Sequence, residues 1–153
     1  MTRLLASLVS AIAVAAGLAA AAPGGPTACE PTVGDGPGPF QRLDAPRRAK
    51  IGTGHVLQGR ILRAGDCAPV ARARVFFWQA GPNGYRRRGQ GNVLTDRQGR
   101  FRIQGPVPTA YGGGSPHIHI AVIHPAYEEL LTRYIVRRGA TSGRIRLVLT
   151  PLL

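Results

Sequence analysis

The stretch Ala73–Gln79, with the sequence Ala-Arg-Val-Phe-Phe-Trp-Gln, is the most aromatic segment of this 153-residue chain. β-Branched and aromatic residues are enriched in strands because they pack well on a pleated, half-buried surface. A turn signal, Pro82-Asn83-Gly84, follows directly. We therefore predict that Ala73–Gln79 is a central strand of a sheet.

On both sides of this strand, short apolar runs alternate with turn signals such as Gly65-Asp66 and Asp96–Gly99. The further predicted elements are strands at His55–Arg63, Val93–Thr95, Arg100–Gln104, His117–Ile123, Leu131–Val136 and Arg144–Leu149, and one helical turn within Pro125–Leu131. Short strands at this spacing are typical of all-β domains. The sequence predicts an all-β fold, an antiparallel β-sandwich of about seven to eight short strands, preceded by an irregular N-terminal arm.

The first 22 residues differ from the rest of the chain. Arg3 supplies a positive start, Leu4–Leu18 is apolar and uncharged, and Ala19–Ala22 offers the small residues of a cleavage site. We predict a secretory signal peptide at 1–22 and hence export to the periplasm or the extracellular space. A retained anchor is the alternative, although the Ala-rich run is marginal in length for a spanning helix. A Pro/Gly-rich arm at 23–50 and a sandwich domain at 51–153 complete the predicted organisation.

Cys29 and Cys67 are the two cysteines of the chain. Two cysteines in an exported protein predict one disulfide, which would tether the arm to the first hairpin. In the chain-entropy model, closing a loop of this length stabilises a fold by roughly 3–4 kcal/mol.

The formal net charge is +13, and Lys50 is the one lysine among the 20 basic residues. A charge of this size raises nucleic-acid binding as a function. The basic residues are scattered along the sequence, however, and an Arg-, Ala-, Gly- and Pro-rich composition is what a GC-rich genome produces. No nucleic-acid module is recognisable. We expect a solvated basic surface, with attraction of anionic substrates or cell-envelope polymers as a secondary effect.

His117 and His119 form the clearest ligand pair in the sequence. Residues i and i+2 of a strand point to the same face, so the two imidazoles are suited to a shared metal ion. The glycines between Tyr111 and His117 allow the chain to bring Tyr111 back towards the pair. The alternative is that these are two ordinary histidines on a strand.

Two tyrosines are further candidate ligands: Tyr85 closes the turn after the Trp78-Gln79 strand, and Tyr111 lies in the glycine loop before the histidines. Phenolate is a hard anionic donor with an ordinary pKa near 10, so only a strong Lewis acid keeps it ionised at neutral pH. Ferric iron meets that requirement, whereas zinc prefers Cys, His and carboxylate ligands. Two phenols and two imidazoles therefore favour Fe(III).

The chain from about Gly52 onward resembles the intradiol ring-cleavage dioxygenases, the catechol and protocatechuate dioxygenases with non-haem ferric iron. The motifs that carry the resemblance are Trp78-Gln79 with Gly84-Tyr85, Thr95-Asp96 with Gly99, Pro108 with Tyr111, and Pro116-His117-Ile118-His119. The resemblance implies Tyr85, Tyr111, His117 and His119 as iron ligands, with Tyr111 displaced by substrate. It implies a catechol-type substrate and O₂ as partners and a muconate-type product. The scattered charge and the lack of a second long apolar run in the sequence predict no nucleic-acid partner and no stable membrane insertion after signal removal, and homo-oligomerisation is left open.

Two departures from the family pattern bear on the site. Better-known members carry an arginine three residues before the first histidine, where this chain has Gly114, and a Thr-Gln pair on the following strand, where it has Thr132-Arg133. Our hypothesis is that Arg133 supplies the positive charge that Gly114 cannot. We expect His55 and His124 to be ordinary polar residues.

Two other functions remain open at this point. The strands and turns also resemble transthyretin-like and carboxypeptidase-regulatory-like β-sandwiches, which would make the protein a non-enzymatic binding module of the cell envelope. The other function is that of an envelope protein that binds copper through His117 and His119 alone.

Overall fold

A computed structural model describes residues 29–35 and 43–153 as two packed β-sheets. Its strands are β1 (His55–Arg63), β2 (Arg74–Gly81), β3 (Gly84–Leu94), β4 (Arg100–Gly105), β5 (His117–Ile123), β6 (Leu130–Ile135) and β7 (Ser142–Leu149). One sheet has the order β3-β2-β5-β6 and the other has the order β4-β1-β7. The predicted all-β sandwich is confirmed. The predicted signal peptide at 1–22 lies outside the described residues, and no helix within them is long and apolar enough to span a membrane.

β2 is a central strand, as predicted, because it pairs with β3 on one side and β5 on the other. Its side chains are buried on both faces. Val75 and Phe77 join the core between the two sheets, whereas Phe76 and Trp78 join a second cluster on the outer face of the four-stranded sheet. The sequence of a strand that is covered on both faces is a continuous apolar run, without the alternation of apolar and polar residues found in a half-exposed strand.

Two predicted elements differ from the structure. The predicted strand Val93–Thr95 is the end of the longer β3, whose first half is rich in arginine and carries no apolar signal. The predicted helical turn within Pro125–Leu131 is wrong. The backbone N–H of Tyr127 donates to the carbonyl of His124 (3.1 Å), which forms a β-turn with Pro125 inside it, and Glu128 N–H then donates to Thr150 O (2.9 Å).

The three-stranded sheet contains one departure from the antiparallel expectation. β1 pairs antiparallel with β4 but parallel with β7. Between β4 and β7 the chain forms β5 and β6 of the other sheet. β7 then pairs with β1 and runs in the same direction as β1. The fully buried side chains Leu57, Ile61 and Leu147 of this sheet face Phe77 and Ile120 of the other, and these contacts form the main core.

The predicted disulfide between Cys29 and Cys67 is confirmed, with a Cα–Cα distance of 5.3 Å. It holds the N-terminal arm against the edge of the sandwich. Beyond it, Thr32 bonds to the backbone of Val148 through its own N–H (3.0 Å) and its hydroxyl (2.8 Å). The N–H of Asp35 then reaches the carbonyl of Leu131 (2.9 Å) on β6. The arm therefore crosses from the three-stranded sheet to the four-stranded sheet.

Gly59 on β1 has the ring of Phe101 packed over its Cα, where a Cβ would overlap the ring atoms. We expect Gly59→Ala to lower the free energy of unfolding by about 1–3 kcal/mol, since overpacking forces either the ring or the backbone to shift. Urea unfolding measures the change. Gly81→Ala is the control, because a Cβ there meets nothing within 4 Å. Equal stability of the two variants would contradict the packing argument.

Candidate metal centre

His117 and His119 lie next to each other on the outer face of β5. Their Nε2 atoms are 3.0 Å apart and both side chains are buried. Ile118 between them and Ile120 after them face the main core, so the alternation of β5 sends the two imidazoles to one face, as predicted. For two nitrogens bound to one metal at about 2.1 Å and at a right angle, the expected separation is about 3.0 Å.

The hydroxyl oxygen of Tyr85 forms a cluster of three atoms with the Nε2 atoms of His117 and His119. This oxygen lies 2.9 Å from His119 Nε2 and 3.3 Å from His117 Nε2. The tyrosine stands at the start of β3, directly after the β2–β3 turn, and the pairing of the two strands shifts register between Trp78 and Ala80. A bulge of this kind re-aims the side chains beside it. The turn and the bulge thus bring the phenol over the histidine pair.

Each histidine is held by a specific neighbour. His117 Nδ1 lies 2.7 Å from the carbonyl oxygen of Ser115. A carbonyl can only accept, so Nδ1 carries a proton and Nε2 is the ring nitrogen that faces the cluster. His119 stacks on the indole of Trp78, with ring centroids 5.0 Å apart and planes 10° from parallel. Trp78, a residue of the predicted central strand, therefore fixes the orientation of a candidate ligand.

The protonation of the cluster favours cation binding. Burial, and then the charges of His117 and Arg133, lower the pKa of His119 to about 4, so its ring is neutral at pH 7. Burial, and then the proximity of Tyr111, raise the pKa of the Tyr85 phenol above its ordinary value of 10. The metal-free phenol therefore keeps its proton, and a cation that bound it as phenolate would have to be strongly Lewis-acidic.

Tyr111 lies at the rim of this cluster. Its ring meets the ring of Tyr85 edge to face, with centroids 5.1 Å apart, and 45% of its surface is exposed. The positive φ angles of Gly112 (60°) and Gly113 (78°) form the turn that follows it. The glycine loop thus brings Tyr111 back beside the strand pair, as the sequence suggested, in a more solvent-exposed position than Tyr85.

Arg133 is the direct cross-strand neighbour of His119 on β6. Such pairs have Cβ atoms about 4.5–5.5 Å apart and share a face of the sheet. The guanidinium Nε of Arg133 lies 3.0 Å from a carboxylate oxygen of Asp35, and both side chains are about half exposed. Sequence reasoning missed Asp35, because no motif marks it in the Pro/Gly-rich arm. Only the path of the arm beyond the Cys29–Cys67 disulfide brings it here.

The remaining histidines lie elsewhere. His55 is buried and its Nδ1 is 2.9 Å from Ala140 O, while the Nδ1 of His124 accepts the N–H of Ala126 (3.2 Å). In the described ranges, no group of three or more His, Cys, Asp or Glu side chains is arranged to hold a metal ion. Tyr85 with His117 and His119 is the donor set that the fold brings together.

The architecture and this donor set define an all-β sandwich with a tyrosine–histidine cluster on its outer face. No protein-family model and no curated protein sequence matches the chain. Among solved structures it is similar to the dioxygenase domain of a dioxygenase–carbohydrate-binding protein fusion from Streptomyces sp. SirexAA-E. The identity is 21% and the TM-score 0.69, over 80% of this chain and 100% of that one.

Two further structures give the same result. Hydroxyquinol 1,2-dioxygenase from Pseudomonas putida DLL-E4 is 20% identical with a TM-score of 0.67, over 82% of this chain and 68% of that one. An intradiol ring-cleavage dioxygenase from Tetranychus urticae is 18% identical with a TM-score of 0.69, over 82% and 97%. The chain therefore has the fold of the intradiol ring-cleavage dioxygenases, and the resemblance stated from its motifs is confirmed at the level of the fold.

The lowered pKa of His119 predicts a pH-dependent stability of the metal-free protein. The unfolded chain binds a proton at His119 near pH 6.5 and the folded chain only near pH 4, so stability falls as the pH is lowered through this window. We expect the melting temperature to drop between pH 6.5 and 4, and His119→Gln to remove part of that drop. His124→Gln is the control, and an identical pH profile for the two variants would contradict the assignment.

Proposed function

We propose that this protein is an exported, non-haem Fe(III) dioxygenase that cleaves a catechol-type ring between its two hydroxyl-bearing carbons. The observation that carries the proposal is the meeting of the Tyr85 oxygen with the Nε2 atoms of His117 and His119, all within 3.3 Å, in a fold shared with intradiol dioxygenases. A non-enzymatic sandwich has no need of a phenol aimed between two imidazoles.

The donor atoms fit ferric iron. His117 presents an Nε2 lone pair, His119 is neutral, and Tyr85 would give a phenolate once its proton is displaced. The hard phenolate and the absence of carboxylate among the convergent groups argue against zinc and against the two-His-one-carboxylate ferrous sites. Tyr111, beside Tyr85 and open to solvent, is the candidate fourth ligand.

The protein side chains have distinct roles in this proposal. Tyr85, His117 and His119 would hold the ion. When bound, ferric iron would supply the Lewis acidity that ionises a catechol and activates its ring towards O₂. Tyr111, which would be a phenolate when it serves as the fourth donor, is suited to leave the site as substrate enters, with its oxygen taking one hydroxyl proton of the substrate.

Arg133 supplies positive charge at this face of the sheet. Its guanidinium acts on His119 electrostatically, which is one cause of the lowered pKa of that imidazole. A catechol bound as an anion would gain from the same charge. Asp35 accepts from Arg133 in the resting protein and holds the guanidinium over β6, so the arm contributes to the site through this pair.

The export part of the proposal rests on two features. Residues 1–22 have the charge, apolar run and small residues of a secretory signal. The Cys29–Cys67 disulfide is a bond that persists mainly in oxidising compartments. Together they support a periplasmic or extracellular location. Cell fractionation with an antibody to the protein tests it, and recovery in the cytosol with reduced thiols would contradict it.

The two tyrosines predict different spectra. After purification with iron, we expect a red or purple protein, because tyrosinate-to-Fe(III) charge transfer absorbs visible light. Tyr85→Phe should lose most of its iron and its colour, since it removes the central donor. Tyr111→Phe should retain iron with a shifted band and a reduced kcat for O₂ uptake with catechol. Iron content and visible spectra measure both effects.

Tyr127→Phe is the matched control for this pair, since Tyr127 packs beside His124 away from the cluster. It should keep wild-type colour and turnover. A colourless wild-type protein that takes up no O₂ with a panel of catechols would contradict the enzyme proposal and favour a binding module. A blue, copper-only protein would favour the two-histidine alternative.

Arg133→Ala should lower kcat/KM for catechol by about 10- to 100-fold, the effect of one charge-assisted interaction. Arg133→Lys should recover part of the loss because it restores the charge but not the planar fork. Steady-state O₂ uptake measures both. Arg137→Ala, an exposed arginine after β6, is the control. Unchanged turnover in Arg133→Ala would refute the role given to this residue.

A further inference from the structure

The outer face of the three-stranded sheet carries a regular array of arginines. In the register of β4, β1 and β7, one row across the sheet is Arg102, Gln58, Arg144, and the next row is Arg100, Arg60, Arg146. All six side chains are exposed. We call this set the arginine face. The sequence shows it as scattered arginines on three separate strands, and only the strand order β4-β1-β7 brings them together.

These charges are poorly compensated. The ion pairs found in the described ranges involve Arg63, Arg87 and Arg133, none of which belongs to the arginine face. Asp96 is the acidic side chain beside it, and one of its oxygens accepts the N–H groups of Gln98 and Arg100. Like charges directly opposite each other in a sheet are destabilising. An anionic partner would therefore relieve a repulsion that is built into the fold.

The face has the shape and spacing of a binding surface for a repeating anion. It forms a shallow cavity of about 680 Å³, lined by Arg60, Arg100, Arg102 and Arg144 around Gln58. Neighbouring guanidinium stems start about 4.8 Å apart across the strands and about 7 Å apart along them. Spacing of this kind matches charges that recur along a polymer rather than one isolated anion.

The types of side chain on the arginine face favour one class of anionic partner over others. Its outward side chains are arginine and glutamine, while Phe101 and Ile145 at the wall of the cavity pack towards the core. No aromatic ring is offered for base stacking, which single-stranded nucleic acids require for tight binding. No apolar side chain is offered for insertion at a lipid interface. Arg forks match carboxylates and phosphates, and the neighbouring Gln58 amide suits hydroxyls, so the face fits a polymer that carries both anions and hydroxyl groups.

We propose that the arginine face binds an acidic polysaccharide whose sugar units carry carboxylates. The guanidinium groups would pair with successive carboxylates, and the Gln58 amide would bond to hydroxyls between them. The face lies on the outside of the β4-β1-β7 sheet, whereas the tyrosine–histidine cluster lies on the outside of the other sheet. The proposal is independent of ring cleavage, and bound polymer would leave the cluster open.

The test is calorimetric titration of the purified protein with polygalacturonate at about 100 mM NaCl, with dextran as the neutral polymer. Loss of two charge-assisted contacts should weaken binding at least tenfold in the double variant Arg102→Gln/Arg144→Gln. The matched control Arg137→Gln/Arg138→Gln removes the same charge from an exposed turn and should change the Kd less than twofold. Both variants should keep wild-type O₂ uptake with catechol.

Three results would overturn the proposal. The first is no binding of polygalacturonate. The second is an equal loss in the two double variants, which would mean that net charge alone is responsible. The third is tighter binding of single-stranded DNA or phosphatidylglycerol vesicles than of polygalacturonate, with that binding lost in Arg102→Gln/Arg144→Gln, which would assign the face to a different partner.

Discussion

The antiparallel pairing of β2 with β5 is the constraint on which the rest of this structure depends. It sets Trp78 directly opposite His119, so that the indole and the imidazole stack, and it places Phe77 opposite Ile120 in the main core. Because side chains alternate along a strand, a slip of one residue would turn the histidines into the core and the isoleucines outward. The energy of the hydrophobic core therefore also fixes the geometry of the candidate metal centre.

Burial is the main cause of the shifted pKa values of His119 and Tyr85 in that centre. An imidazole that is desolvated and close to other positive charge stays neutral, and a desolvated phenol stays protonated. In the proposed function, the phenol oxygen and the two imidazole nitrogens would exchange their mutual hydrogen bonds for a small, highly charged cation. Arg133 and Asp35 add a half-exposed ion pair at the edge, where it can exchange partners with an anionic ligand at low cost.

The N-terminal arm links the two sheets and ends at the site. The Cys29–Cys67 disulfide anchors it beside the three-stranded sheet, Thr32 ties it to β7, and Asp35 reaches Arg133 on β6. The two outer faces of the sandwich differ in the side chains that they carry. One carries the buried His117–His119 pair with Tyr85 and Trp78, and the other carries exposed arginines with little compensation. A polymer on one face and a small aromatic ring at the other would not compete.

The sequence by itself determined the properties that depend on neighbours along the chain. The all-β class, the central strand and the shared face of His117 and His119 all follow from residue type and a period of two. The disulfide follows from the count of two cysteines together with the predicted export of the chain.

Only the tertiary structure decided what depends on pairing between distant segments. The bulge that aims Tyr85 at both histidines, the parallel arrangement of β1 with β7, the path that brings Asp35 to Arg133, and the gathering of five arginines on one sheet all arise from register and strand order. Local periodicity carries no information on which strands become neighbours, because that choice is made by burying the apolar faces of the whole chain together.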